Sequence, residues 1–173
     1  MPISLHFEDN RFEKQPVNHI REIARAIVLD EDGNVALHLI HRDDMFGNQW
    51  YYETPGGGVD EGEAPEEAVV RECEEELGYR VEILSFLGDV LDYYNKIGRE
   101  NHNHYYLCKR KEKVGIHFAS SGDTLIMKTE YLPIEEAIVR MENQDEDLVA
   151  GLVKQRELPV LREALRQISA LKR

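Results

Sequence analysis

The hydrophobic pattern becomes legible from about residue 22. "IARAIVL", Ile23 to Leu29, is mostly apolar and of strand length, and "DEDGN" after it is a turn, with Gly33 where a positive φ is tolerated. "VALHLIH" alternates, which places Val35, Leu37 and Leu39 on one face of a second strand and predicts a hairpin. "RDDMFGNQ" reads as a loop leading into the aromatic "WYYE" and the run Pro55 to Gly58. Pro65 suits the first turn of a helix and Gly78 its end, so a helix is predicted from about Pro65 to Leu77, although Ala64 is a poor cap. Strands are predicted at about Arg80 to Asp92, His104 to Lys111 and Thr124 to Tyr131. Helical spacing returns in "IEEAIVRM" and from Glu146 to Leu171, interrupted at Pro159. Residues 1–20 suit an N-terminal arm or an edge strand, and residues 21–173 a single domain that includes the C-terminal helices. Strands and helices mix without regular alternation, which predicts an α+β architecture with helices packed on a mixed sheet.

Composition narrows the function classes. A chain of 173 residues, 42% hydrophobic and 32% charged, suits one folded unit. Its net charge of −13 argues against polymeric nucleic acid as a partner, while a small phosphorylated substrate stays open because a bound cation can reverse the sign of an acidic site. No apolar run has the length of a membrane span and the first residues lack a signal-peptide pattern, so a cytoplasmic protein without membrane attachment is expected. Cys73 and Cys108 lack metal-site or CxxC spacing and are expected as buried free thiols. Leu161, Leu165, Ile168 and Leu171 could close the chain's own core or line a contact between copies, leaving monomer and homodimer both open.

The chemistry concentrates in "GGGVDEGEAPEEAVVRECEEELGY", Gly56 to Tyr79. At about 100° per residue, Val69, Val70, Cys73 and Leu77 share one side of the helix, while Glu72, Glu75 and Glu76, at i, i+3 and i+4, share a neighbouring arc. Like charges so placed repel by roughly 0.2–0.5 kcal/mol per pair. A hard divalent cation bound by the three carboxylates would offset the repulsion; a solvated acidic face with Arg71 as counter-ion is the other meaning of such a run. Gly56 to Gly58 would let backbone approach a metal or phosphate closely, and would equally serve a plain turn.

The spacing of Gly57, Glu63, Arg71-Glu72, Glu75-Glu76 and Gly78 resembles the signature of the MutT-like Nudix hydrolases at every charged and glycine position. Cys73 and Tyr79 fill two slots that are usually aliphatic. The resemblance implies an α/β/α sandwich and a metal-dependent hydrolase that cleaves the diphosphate linkage of a nucleoside diphosphate joined to another group. Nucleotide sugars, dinucleoside polyphosphates and nucleoside triphosphates all satisfy that description. It also implies Mg²⁺ or Mn²⁺ as cofactor, Glu75 and Glu76 as metal ligands, and Glu72 as a ligand or the general base. The Gly57 carbonyl would join the coordination shell, Glu63 would bind through water or hold the loop, and Arg71 would orient the carboxylates. A further acid from beyond the box is expected, with Glu130 and Asp123 as candidates. Trp50 and Tyr94 are candidates for stacking on a base, although aromatic residues at strand spacing more often serve the core.

"WYYETPGGG" is similar to the nucleoside diphosphate-sugar branch, but the Pro that ADP-ribose pyrophosphatases usually carry beyond the box is absent, Tyr94 and Asn95 occupying that stretch. The alternative is a catalytically inactive Nudix-fold nucleotide-binding regulatory module, which would be expected to show an eroded box. Further off stands an acidic interaction domain whose glutamates face solvent. His102 and His104 read as exposed positions of a strand.

Overall fold

A computed structural model of the chain describes residues 1–117 and 124–172. Among these, the elements run β1 (Ile3–His6), β2 (His19–Leu29), β3 (Val35–Asp44), β4 (Gly47–Glu53), β5 (Gly56–Gly58), α1 (Pro65–Leu77), β6 (Tyr79–Tyr94), β7 (Arg99–Lys113), β8 (Ile126–Leu132), α2 (Ile134–Glu142) and α3 (Leu148–Leu171). The sheet is mixed, in the order β1-β6-β7-β2-β3-β4, with β5 added on β2 and β8 on β3. β2 runs parallel to β7 over its whole length, while β3 pairs with β2 only at Leu29 and Val35 before diverging. The gap is filled by β5, whose Gly57 stands opposite Ala24. β1 is an edge strand, parallel to β6.

The period-two rule of strands sorts β2 into two cores. Ala24, Ala26 and Val28 face α1 together with Ala36 of β3, Tyr106 and Cys108 of β7, and Ala68, Val69, Cys73 and Leu77 of the helix. Their small side chains let α1 lie close to the sheet. Ile27 points to the other face, where Val35, Leu87, Val90, Tyr105 and Leu107 meet α2 and α3 through Ile138, Met141, Val153, Val160 and Leu161. The result is the expected α+β sandwich, a mixed sheet between helical layers. Leu165 and Ile168 pack against this second core, and Leu171 is exposed. Both cysteines are free and buried, and burial pushes the Cys108 thiol up to about 12. No helix among the described residues is long and apolar enough to cross a membrane.

Three sequence expectations change. Residues 42–49 are not a loop: β3 and β4 continue as a ribbon to a tight turn at Asp44 and Gly47, and its buried Gln49 donates to the Asp147 carbonyl and accepts from the Ala150 amide, partners far along the chain that alternation does not signal. Pro159 does not interrupt α3; burial of Arg156, Val160, Leu161 and Ala164 on either side holds the helix together despite the missing amide. β7 begins at Arg99 rather than His104, because Asn101 and Asn103 are buried and donate to the Asp92 carboxylate at 3.0 and 2.9 Å. At α1 the poor cap is offset: the Ala64 amide donates to Glu67 Oε1 at 3.0 Å, half of a capping box, and Gly78 closes the helix at φ 76°.

Candidate active site

The site is built where β5 crosses the flank of α1. A Cβ added at Gly57 would stand 2.7 Å from the Glu72 carboxyl carbon, and one at Gly56, where φ is 147°, would meet the Ala24 carbonyl oxygen at 2.4 Å. Glycine is therefore required for the strand to run between β2 and the helix. The glutamate arc faces this strand rather than open solvent: Glu72, Glu75 and Glu76 are 5%, 8% and 3% exposed.

Arg71 ties the cluster together. Its Nε and Nη2 donate to the two Glu63 oxygens at 2.8 and 2.9 Å, and Nη2 also donates to the Gly58 carbonyl at 3.0 Å. Nη1 donates to Glu72 Oε1 at 3.0 Å and reaches Glu75 Oε2 at 3.5 Å. Such a planar fork suits guanidinium and not an ammonium group. The bonds from Arg71 hold the Glu63 carboxyl below the usual carboxylate range, and the same bonds hold the Arg71 proton more tightly. Glu76 is held separately: its Oε1 accepts from the Gly56 amide at 3.1 Å and lies 3.0 Å from His38 Nε2, whose other ring nitrogen is 2.8 Å from Thr129 Oγ1.

Arg71 thus serves Glu63, Glu72 and Glu75, with Asp60 Oδ2 3.5 Å from its Nη2, while Glu76 beside them is held by an amide and an imidazole; this all-oxygen, net negative donor set is chemically suited to a hard divalent cation. As they stand, no three His, Cys, Asp or Glu side chains among the described residues are gathered closely enough to hold an ion; Arg71 lies between Glu72 and Glu75.

The other expected residues are dispersed. Glu130, on β8, is bound by Arg140 at 3.3 Å and neighbours Tyr52, and the Tyr52 hydrogen bond, ahead of the nearby Lys128 and Arg140 charges, lowers its pKa. Asp123 lies outside the described residues. Trp50, 54% exposed on β4, stacks on His41 at 4.4 Å and borders a cavity shared with α2. Tyr94 is buried in a different cavity, where Phe46 packs edge-on to its ring and Arg99 lies 4.9 Å above it. The sequence reading missed His38, which carries no motif signal, and the arginines of the Tyr94 cavity, which lie on separate strands.

A mixed sheet between helical layers, with a glycine strand leading into a helix of carboxylates gathered by one arginine, is the architecture of the Nudix class. The family model described as NUDIX domain matches residues 19–152, and the chain belongs to the NUDIX family. Members of this family generally use divalent metal ions. A relative from Streptomyces rubellomurinus, named CMP-5'-(N-acetyl-N-hydroxy-3-aminopropyl)phosphonate hydrolase, is 30% identical over 119 residues, 68% of this chain and 55% of the relative. Another, from Bacillus subtilis, named "Putative 8-oxo-dGTP diphosphatase YtkD", is 30% identical over 135 residues, 71% of this chain and 70% of the relative. The chain therefore spans about half the length of the first and 70% of the second. The sequence expectation of a Nudix pyrophosphohydrolase accords with these names. Among solved structures, the E. coli ORF135 protein superposes with a TM-score of 0.63 at 21% identity, covering 87% of this chain and 92% of that one. A NUDIX hydrolase from Nitrosomonas europaea superposes with a TM-score of 0.61 at 15% identity, covering 92% of each. At such identities the likeness speaks for the fold.

Proposed function

We propose that this Nudix domain is a hydrolase that uses Mg²⁺ or Mn²⁺ to cleave the diphosphate linkage of a nucleoside diphosphate joined to another group, by attack of water at phosphorus. The observation that carries this reading is the excess of carboxylate at the start and along one flank of α1, where Glu63, Glu72 and Glu75 share the Arg71 guanidinium and Glu76 beside them is held by His38 and the Gly56 amide. Glu72, Glu75 and Glu76, with the Gly57 carbonyl, are the groups that would hold the cation. A bound divalent ion supplies positive charge that lets an anionic diphosphate approach this acidic chain and offsets the charge that grows on the transferring phosphoryl group.

The remaining roles belong to the protein's own residues. Arg71 fixes the carboxylate orientations and ties the loop through Glu63 and the Gly58 carbonyl. His38 and the Gly56 amide hold Glu76 against the sheet. Glu72, pressed against Gly57, serves as ligand or as the base that takes a proton from the attacking water. The names of the two relatives support a nucleotide-derived substrate. The test is release of nucleoside monophosphate or phosphate from a panel of nucleotide sugars, dinucleoside polyphosphates and nucleoside triphosphates. Turnover should require Mg²⁺ or Mn²⁺; turnover that persists in excess chelator would sink the metal-dependent mechanism.

A further inference from the structure

On the face of β2 away from α1, a cavity of about 210 Å³ is lined by Arg21, Arg25, Arg42 and Arg99 together with Tyr94 and Glu53. Four guanidinium groups around one small cavity are unexpected in a chain of net charge −13, and local acids do not balance them. Glu53 lies 3.4 Å from Arg25 but also 2.9 Å from the buried Arg156, which shares it. Arg42 is paired with Asp44 at 2.9 Å. Among the described residues, Arg21 and Arg99 have no ion-pair partner; Arg99 Nε donates to the neutral Asn101 side-chain oxygen Oδ1 at 2.6 Å, and its guanidinium covers the Tyr94 ring. Arg25 Nε is buried without a hydrogen-bond partner. A buried donor left without an acceptor costs about 1–3 kcal/mol, more when charged, so such a group calls for a ligand to explain it.

Resting on the hydrolase reading above, we propose that this cavity binds a phosphoryl group of the substrate additional to the two that flank the scissile bond. The preferred substrate class is then one extended by a further phosphate, as in nucleoside triphosphates, rather than a nucleotide joined to an uncharged sugar. Size supports a group rather than a whole nucleotide, since clefts that take entire small molecules measure roughly 300–1,000 Å³. The Tyr94 ring, flanked by Arg99 and Phe46, does not stand open for a base. Position supports a contribution from the same substrate: adjacent residues of β5 face opposite ways, so Glu72 lies on the Gly57 side and Arg21, whose Nη2 would stand 2.9 Å from a Cβ added at Gly58, lies across the strand, near enough for the Glu72 charge to act on it. The strand β5 is thus the partition between the carboxylate site and the cavity. The cost of the arrangement is visible at Arg99, whose pKa is lowered to about 10 by burial and, against the pull of Tyr94, by Arg21, Arg156 and Arg25.

The experiment has two arms. In excess chelator, pyrophosphate binding is measured by calorimetry on wild type, Arg99→Met, Arg42→Gln and Arg99→Lys, with Arg110→Met, which removes an arginine paired with Glu31 elsewhere, as control. Wild type and Arg110→Met should bind alike, Arg99→Met and Arg42→Gln about tenfold more weakly or worse, and Arg99→Lys in between. Equal binding by all variants, or none by wild type, overturns the assignment without touching the metal-dependent hydrolysis, since no divalent ion is present. In the second arm, kcat/KM is compared between a nucleotide sugar and the same compound carrying a phosphate on its sugar. A preference of about tenfold for the phosphorylated compound, lost in Arg99→Met through KM, is expected. Pyrophosphate binding without that preference would mean that the cavity takes a free anion, and would overturn the substrate assignment.

Discussion

Two regions of this protein bury charge, and they do so in opposite ways. At the base of α3, Arg156 is 1% exposed, yet every direction of its guanidinium is answered: Glu53 at 2.9 Å, Asp92 at 3.3 Å, and the Tyr94 and Tyr105 hydroxyls at 2.9 Å each. Its neighbour Glu157 accepts from the Thr54 amide, the Thr54 hydroxyl and the Tyr105 hydroxyl at 2.7 to 2.8 Å. On α1, by contrast, Arg71 serves Glu63, Glu72 and Glu75 and reaches Glu75 only at 3.5 Å, while Glu76 next to them is held by an amide and an imidazole. Charge whose carboxylates are also satisfied by amides and hydroxyls, as Asp92 is by Asn101 and Asn103 and Glu157 by Thr54 and Tyr105, holds the strands to the helix; charge left over is available to a ligand. The balance of each cluster, more than its burial, separates structure from function.

The largest effect expected from this contrast is on stability at the balanced region. Arg156→Met would leave Asp92 and Glu157 buried without their cation and Glu53 with Arg25 alone, a loss of about 3–5 kcal/mol, read as a lowered urea midpoint; a midpoint close to wild type would mean that the network is not structural. Next comes the unbalanced region, where Glu75→Gln should lower kcat on the order of a hundredfold or more. Its folding stability should hold or rise by a few tenths of a kcal/mol, because a like charge is removed. A matching loss of folded protein by circular dichroism would place Glu75 with the structural charges instead.

The smallest effect concerns a third cluster, on the sheet surface, whose balance depends on pH. Burial lowers the pKa of His104, but hydrogen bonds to Glu22 and Asp89, at 2.9 and 2.6 Å, outweigh it and leave the pKa raised above 6.5. A raised value means that the folded state holds the proton more tightly. The contribution is therefore complete below about pH 6.5 and is lost as pH rises through the folded value, within about 1 kcal/mol for a partly exposed pair. Unfolding midpoints should fall slightly from pH 6 to pH 8 in wild type, and His104→Gln should flatten that slope; an unchanged slope would remove His104 from the account.

Much of α1 could be read from the chain because its signals are local. Pro65 and Gly78 mark its ends, and the glutamates at i, i+3 and i+4 mark one arc, all within a single helix. The Arg71 fork was legible in role, yet its bond to the Gly58 carbonyl depends on how β5 is threaded. The β3–β4 ribbon was illegible because its buried polar residue, Gln49, is satisfied by Asp147 and Ala150, which lie far along the chain. The start of β7 was misread because Asn101 and Asn103 are satisfied by Asp92 from a neighbouring strand, a pairing that no short-range pattern announces. The arginine cavity is assembled from β2, β3 and β7, which sequence separation hides entirely.

The central claim is that the surplus carboxylates of α1 gather a divalent cation, and thermal unfolding with and without Mn²⁺ tests it most directly. At about a hundredfold over its dissociation constant, a ligand specific to the folded state adds roughly 2.7 kcal/mol, which for a chain of this size raises Tm by about 5–10 °C. Wild type should show that rise and a Glu72→Gln, Glu75→Gln, Glu76→Gln triple variant should not. An equal shift in both proteins, or none in wild type, would contradict the account.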